Sequence, residues 1–575
     1  MTLQPRKLSA ALVAAVFLAL IGLRLWLVAG VPKNYVNGPH DDLYFARMAE
    51  SLVNGQWMGP YDNMTLIKGP FYGLFLAFSY RTGLPLFLNE TLLYVVACVV
   101  MYLAMTPLVR GRWSRLLLFG ILLFLPAGMV TYWNLRVYRE FVSLSLSLWV
   151  LACAAGLFLR MDREPAHVAP WSFGLGVSLA AFMLCREEAL WITVPLGLLL
   201  LAAFVIILRE RLSRVWAQTL LLLLPALISY AAIMLVSYVN YTRYGFWGYS
   251  ETLDRDMNRV MDTLSRIRTE EPYPYNAVTV ANLRLAYRVS PRLRELRNEI
   301  EALWDDWQHS SSESLMGMPP WYVEKHLTAA LPGMDHYFRW LLGDALQAGG
   351  FYADGFPRQY LRETADELEA ACRAGTLDCA GGLPMPLLGR VRRGQLEPVA
   401  RLFAENALDL LQVRLQTATV RSVDPSGWQA WREEFEVFRR LAHNPIELQL
   451  VGQAPALHEL AELGRKVNVM RQIESVYRLL TLPCFVAAVP AWLWITARHR
   501  GRLRQRGVVL LLFCISLFCV RLAALAAYSV TRGGPMAVYS ESAYPYQYAA
   551  LFLAWYLPLQ AWSGSRPARK PDAAA

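Results

Sequence analysis

Apolar runs long enough to cross ~30 Å of hydrocarbon recur about ten times along this chain, and each reads as a spanning helix. They lie at about Leu8–Val28, Pro85–Leu108, Leu116–Trp133, Phe141–Leu159, Trp171–Cys185, Ala189–Leu208, Trp216–Val239, Leu479–Thr496, Val508–Val530 and Tyr548–Trp562. A shorter run, Phe71–Tyr80, is expected to be interfacial or half-inserted. The first run is long for a signal peptide and is followed by further spans, so it is expected to stay as an anchor. Arg24 near its far end is expected to snorkel to the interface. With 55% hydrophobic and 18% charged residues, the composition fits a membrane protein with a sizeable polar part.

The net charge of +11 would suit nucleic acid, but the basic residues cluster in short loops, and no long basic face interleaved with aromatics exists. No nucleic-acid partner is expected. Counting each span once puts Arg6 and Lys7, Arg110 to Arg115, Arg160 and Arg163, Arg209 to Arg214, Arg498 to Arg506 and the tail Arg566, Arg569 and Lys570 on one side. By the positive-inside rule that side is the cytoplasm. The expectation is a multi-pass protein of the cytoplasmic (inner) membrane with both termini cytoplasmic. The opening loop, the link 134–140, the turn Arg186-Glu187-Glu188 and the late loop carrying Arg532 and Glu541 then face outward.

Residues 241–471 contain no spanning run and are rich in charge and aromatics, with helical periodicity broken at Gly349-Gly350, Gly381-Gly382 and Pro425-Ser426-Gly427. No strand ladder or repeat is evident. The expected fold class is an all-α polytopic membrane protein of about ten transmembrane helices, with a mostly helical extracytoplasmic domain inserted before the last three spans. The divisions are 1–240, a transmembrane module whose first outer loop is 31–84; 241–471, the outer domain; and 472–575, the closing transmembrane module and tail. Cys372 and Cys379 are the one cysteine pair of the outer domain and are expected to form a local disulfide. The other six cysteines lie in apolar spans and read as small hydrophobic residues.

The stretch His40–Tyr72 concentrates the chemistry. Asp41 and Asp42 follow the turn signal Asn37-Gly38-Pro39, and then Phe45, Met48, Ala49 and Leu52 form one apolar helix face with Asp42, Arg47, Glu50 and Ser51 off it. Such a helix lies on a surface rather than crossing the membrane. Lys68 follows in a Gly-Pro turn. Adjacent acids at a helix start can serve as caps and dipole partners, or as a catalytic pair. Lys68 can snorkel, or hold a phosphate as a point charge. Glu140 after Arg136 and Arg139, and Glu187 and Glu188 after Arg186, sit at span ends where charge is either paired or functional. The sequons at Asn63, Asn89 and Asn240 are weak signals. There is no P-loop, dinucleotide-binding glycine run, zinc-ligand spacing or nucleophile elbow.

The order Asp41-Asp42, Tyr44, Ala46, Ala49, Leu52, Gly55, Trp57, Lys68, Pro70 and Tyr72 resembles the first outer loop of GT-C membrane glycosyltransferases. The branch concerned includes the aminoarabinose transferases and protein O-mannosyltransferase-like enzymes, which carry a Lys-Pro-Pro turn where this chain has Gly69 in place of the first proline. The resemblance runs from the N-terminus to about Ser250, and takes in the last three spans by topology. It implies a GT-C-like fold and transfer of a sugar, with inversion, from a polyprenyl-phosphate donor to a glycan, lipid or protein acceptor on the extracytoplasmic face. It also matches Glu140 and the Arg186-Glu187 turn to acidic and basic positions of that family.

On this reading Asp41 is the base candidate and Lys68, with Arg186, faces the departing phosphate; Asp42 orients. Arg47, Tyr72, Arg136, Arg139, Glu140, Arg186 and Glu187 are the substrate-binding candidates. The cofactor is open between a divalent cation, Mg²⁺ or Mn²⁺, and none; Asp41, Asp42 and Glu140 are the groups that would hold one. The rival readings are a transporter or flippase of a lipid-linked saccharide, which would need polar groups within the spans or broken helices in repeated halves, and a non-catalytic envelope assembly factor whose acids are dispensable.

Overall fold

A computed structural model describes residues 5–33, 41–129, 131–209, 214–269, 278–304, 338–385, 389–391, 393–415, 432–443, 457–499, 505–532 and 537–563. Asn37-Gly38-Pro39, Pro425-Ser426-Gly427 and the basic tail lie outside the described residues. Among the described residues the regular structure is helical, apart from a two-stranded antiparallel ribbon of Leu383–Met385 on Gly389–Val391. Among the described residues eight helices are long and apolar enough to cross a membrane: Ala10–Val28, Leu86–Ala104, Glu140–Arg160, Pro165–Cys185, Glu187–Arg209, Val215–Tyr244, Ala461–Ile495 and Gln505–Val530. The all-α, multi-pass class is therefore the one observed. Glu140–Arg160 is the centre of the bundle, buried along almost its whole length and packed against the helices Leu86–Ala104 and Pro165–Cys185.

Two of the expected spans differ. The run Leu116–Trp133 is a 12-residue helix, Arg112–Leu123, then a 3-10 turn Pro126–Gly128 and a short helix Tyr132–Leu135. Pro126 has no N–H and cannot continue the ladder, so carbonyls are released inside an apolar bundle. Side chains from elsewhere take them: Tyr477 donates to Ile121 O at 2.6 Å, Tyr94 to Leu122 O at 2.5 Å, and Asn134 to Ala127 O at 2.7 Å and Met129 O at 2.8 Å. Arg24 donates to Gly128 O and is fully buried, so it satisfies backbone within the bundle instead of snorkelling. The last helix, Tyr544–Ser563, opens on Tyr-Pro-Tyr-Gln-Tyr and is not among the eight.

A second apolar core lies within residues 257–377, built from Met257, Val260 and Leu264 of one helix against Leu361, Ala365 and Leu368 of Arg358–Ala374, with Leu341 and Leu342 between. Cys372 and Cys379 are joined by a disulfide with Cα atoms 5.5 Å apart. Leu457–His499 is one continuous helix. The sequon residues Asn63, Asn89 and Asn240 are all buried, and their amides are spent internally, on Asp344, on Ser79 and Thr82, and on Gly248 O.

Candidate active site

The loop after the helix Asp42–Val53 is pinned from two sides, and that places Lys68. Trp57 Nε1 donates to Asn240 Oδ1 at 2.7 Å, Tyr244 OH to Gly59 O at 2.8 Å, and Ser250 and Thr252 hydroxyls to Ile67 O at 2.9 and 2.7 Å. From the second core, Asp344 accepts from Asn63 at 2.6 Å. Glu251 accepts from Tyr61 OH at 2.5 Å and Tyr352 OH at 3.2 Å, and burial pushes its carboxyl up to about 8 against the pull of those two hydroxyls.

Lys68 Nζ then lies 2.6 Å from Asp41 Oδ1, boxed by the rings of Phe45 at 4.9 Å, Tyr44 and Trp340 at 5.6 Å and Tyr138 at 5.8 Å. Its side chain is 5% exposed, whereas that of Asp41 is 32% exposed, so of the pair it is Asp41 that is open to solvent. Asp41 is the residue before the helix, but its side chain makes no capping hydrogen bond there. The capping explanation of this acid therefore has no contact to support it. Burial works to raise the Asp41 carboxyl, but Lys68 and Arg136 outweigh it and hold it below the usual carboxylate range. Burial draws the Lys68 ammonium down, with Asp41 opposing.

Asp42 does different work. Fully buried, it takes Arg136 Nε at 3.1 Å, with Nη2 on the same oxygen, and the Val137 N–H at 3.1 Å on the other. Arg136 Nη2 also stands 3.8 Å from Asp41 Oδ2. The Arg136 carbonyl accepts from Lys33 at 3.1 Å, and Lys33 pairs with Glu90 at 2.5 Å.

Next to this group lies a second one. Glu187 Oε1 accepts from the Gly69 N–H at 2.7 Å and from Arg139 Nη1 at 2.8 Å, while Arg139 Nη1 also donates to Cys185 O at 2.8 Å. Arg186 pairs with Glu140, the first residue of the central helix, and stands 3.3 Å from Glu188 Oε1. Arg521, from the helix Gln505–Arg532, approaches the same oxygen at 3.7 Å.

Of the residues singled out from the sequence, Asp41, Asp42, Lys68 and Arg136 form one contiguous set, and Arg139, Glu140, Arg186 and Glu187 a second one joined to it through Gly69. Tyr72 is fully buried and donates to Glu90 at 3.2 Å, so it serves the Lys33–Glu90 pair rather than the Asp41 set. Arg47 is exposed, about 140° round its helix from Asp42. Among the described residues no three His, Cys, Asp or Glu side chains converge as a metal-holding group, and Asp42 and Glu140 are each engaged by an arginine.

Reasoning from the sequence does not reach Trp340, Tyr138 or Arg521. Trp340 is one aromatic among many in a polar segment, and nothing in its neighbours points back to Lys68. Arg521 carries one legible signal, a lone arginine inside an apolar run.

No family model matches the chain, and no curated protein matches it. Two solved structures of ArnT from Cupriavidus metallidurans are similar to it. The apo structure is 14% identical over 84% of this chain and 80% of that one, with a TM-score of 0.31. The structure bound to undecaprenyl phosphate is 13% identical over 94% of this chain and 77% of that one, with a TM-score of 0.29.

Proposed function

We propose that the chain is a membrane glycosyltransferase that moves a sugar from a polyprenyl-phosphate donor to an acceptor hydroxyl on the extracytoplasmic face of the inner membrane. The observation that carries the reading is the pair Lys68–Asp41, a reachable carboxylate held at 2.6 Å by a lysine that is itself walled by four rings. The motif resemblance of the first outer loop supports the same assignment. In the transfer step the acceptor oxygen bonds to the anomeric carbon, the bond from that carbon to the phosphate oxygen breaks with its electron pair passing to the phosphate, and the acceptor proton goes to Asp41. Inversion follows from a single displacement.

Without donor, Lys68 neutralises the base. An arriving phosphate competes for the ammonium and draws it off Asp41, so the carboxylate becomes free when the leaving group is in place. Asp42 holds Arg136 beside both groups. A carrier reading would draw on the broken segment 121–129 and buried Arg24, but carbonyls of that segment are taken by Tyr477, Tyr94, Asn134 and Arg24, which makes the break a structural feature. The test is transfer from a radiolabelled polyprenyl-phosphate sugar by purified protein, with polyprenyl monophosphate scored as product. Donor that crosses a proteoliposome bilayer without being cleaved would replace this reading with the carrier.

A further inference from the structure

Two arginines converge on one glutamate at the edge of the site. Arg186 and Arg521 are each about 1% exposed, they come from distant segments of the chain, and both lie within 4 Å of Glu188 Oε1, at 3.3 and 3.7 Å. Both guanidiniums are held by aromatics, Arg186 over Tyr539 at 4.8 Å and Arg521 over Trp191 at 5.2 Å, and Arg521 Nη2 donates to Tyr539 O at 2.9 Å. Their Nε atoms have no hydrogen-bond partner among the described residues. Glu188 differs from the arginines in being 28% exposed, so it can leave toward solvent while they cannot.

We propose that Arg186 and Arg521 form a two-arginine seat for the lipid phosphate, and that Glu188 occupies this seat as a displaceable internal anion. The inference rests on the reading that a polyprenyl phosphate is handled here, and adds Arg521 and Glu188 to it. The charges fit. Arg186 keeps Glu140, so departure of Glu188 leaves one net positive charge facing the gap. A phosphodiester donor carries one negative charge and the released monoester, with a second pKa of about 6, approaches two near neutral pH. A second arginine therefore gains most of its interaction as the bond to the sugar breaks, which is where such stabilisation accelerates the reaction. Planar guanidiniums with unspent N–H groups suit phosphate oxygens better than they suit a single carboxylate oxygen at 3.3 and 3.7 Å.

The experiment uses full-length protein in nanodiscs and follows tryptophan fluorescence on titration with polyprenyl monophosphate, with polyprenol of equal length and inorganic phosphate as the comparison ligands. Arg521→Gln should weaken monophosphate binding about tenfold or more while leaving polyprenol binding unchanged. Glu188→Gln should tighten monophosphate binding several-fold, because the competing charge is gone. A purely structural ion pair gives no tightening, so wild-type or weaker binding by Glu188→Gln overturns the proposal even where Arg521→Gln fails to fold. Wild-type affinity in folded Arg521→Gln overturns it too, and the broader reading survives. Inorganic phosphate competing as well as the lipid assigns the seat to free phosphate and overturns the lipid assignment. If wild-type protein does not distinguish monophosphate from polyprenol, the glycosyltransferase reading itself fails.

Discussion

The backbone N–H of Gly69 donates to Glu187 Oε1 at 2.7 Å, and a Cβ built on Gly69 would run into the carbonyl oxygen of Leu184. Glycine at this place is thus a requirement of the contact. A proline, as in the Lys-Pro-Pro turn this segment resembles, would have no N–H for Glu187 and would put ring carbons into that carbonyl. Gly69→Ala should lower stability by about 1–3 kcal/mol, and Gly69→Pro by more. Thermal melts in detergent measure this, with Gly197→Ala as the control because a Cβ there meets nothing within 4 Å. Equal melting of Gly69→Ala and wild type would mean the turn is free to shift.

The same contact shows how far the sequence is legible. Periodicity and run length locate the spans, and the adjacent acids, Lys68 and the Arg-Glu turns are visible as charge at span ends. Pairing is not visible. That Asp42 belongs to Arg136 and Asp41 to Lys68 depends on the loop 57–68 being tied down by Asn240, Ser250, Thr252 and Asp344, which reach it from far along the chain. Arg24 escapes a reading from composition because a helix broken at Pro126 looks, in composition, like a continuous apolar run.

Lys68→Ala should raise the donor concentration needed for transfer by about tenfold or more, since a phosphate in a walled site loses a charge-assisted contact. Lys68→Arg should rescue only in part, because the four rings at 4.9 to 5.8 Å leave a box fitted to a compact ammonium. Steady-state transfer at varied donor reads both, and full rescue by arginine would place the phosphate elsewhere.

Glu251 gives a pH signature. Its carboxyl is raised to about 8 in the folded protein, against about 4.3 when unfolded, so the folded form holds a proton that the unfolded form has released. Between those values the unfolded state binds fewer protons and stability falls as pH rises, by up to about 1.4 kcal/mol per pH unit. Melting temperature should therefore decline from about pH 5 to pH 8. Glu251→Gln keeps an acceptor for Tyr61 and Tyr352 and should flatten that decline relative to wild type. An identical slope in the variant would show that Glu251 titrates normally.

The Cys372–Cys379 bond should appear as a linked peptide in non-reduced mass spectrometry. Its removal by serine at both positions should cost about 2 kcal/mol locally and leave the membrane helices inserted. Free thiols at both positions in protein from the intact cell envelope would count against placing this segment outside the cytoplasm.

Asp41 and Asp42 are adjacent, yet substitution should separate them. Asp41 is 32% exposed and makes no capping hydrogen bond, while its partner Lys68 is only 5% exposed and keeps an acceptor in the amide oxygen, so Asp41→Asn should cost about 1–3 kcal/mol of stability. As the base it should lose about 10² to 10⁴ in transfer rate, because an amide accepts no proton. Donor binding should stay or tighten, since Lys68 is released to the phosphate. Asp42→Asn should show the reverse order of effects: its carboxylate is fully buried against Arg136, and removing one partner of such a pair costs about 3–5 kcal/mol. That variant should lose melting temperature and yield first, and its residual folded fraction should turn over faster than Asp41→Asn. The depressed Asp41 carboxyl adds a check in pH: kcat/KM, which reports the donor-free protein in which Lys68 still holds Asp41, should stay flat through mildly acidic conditions and fall only below them. Single-turnover transfer at matched folded protein decides the matter. Near-wild-type turnover by Asp41→Asn would remove the base from this site and leave Lys68–Asp41 as a structural ion pair.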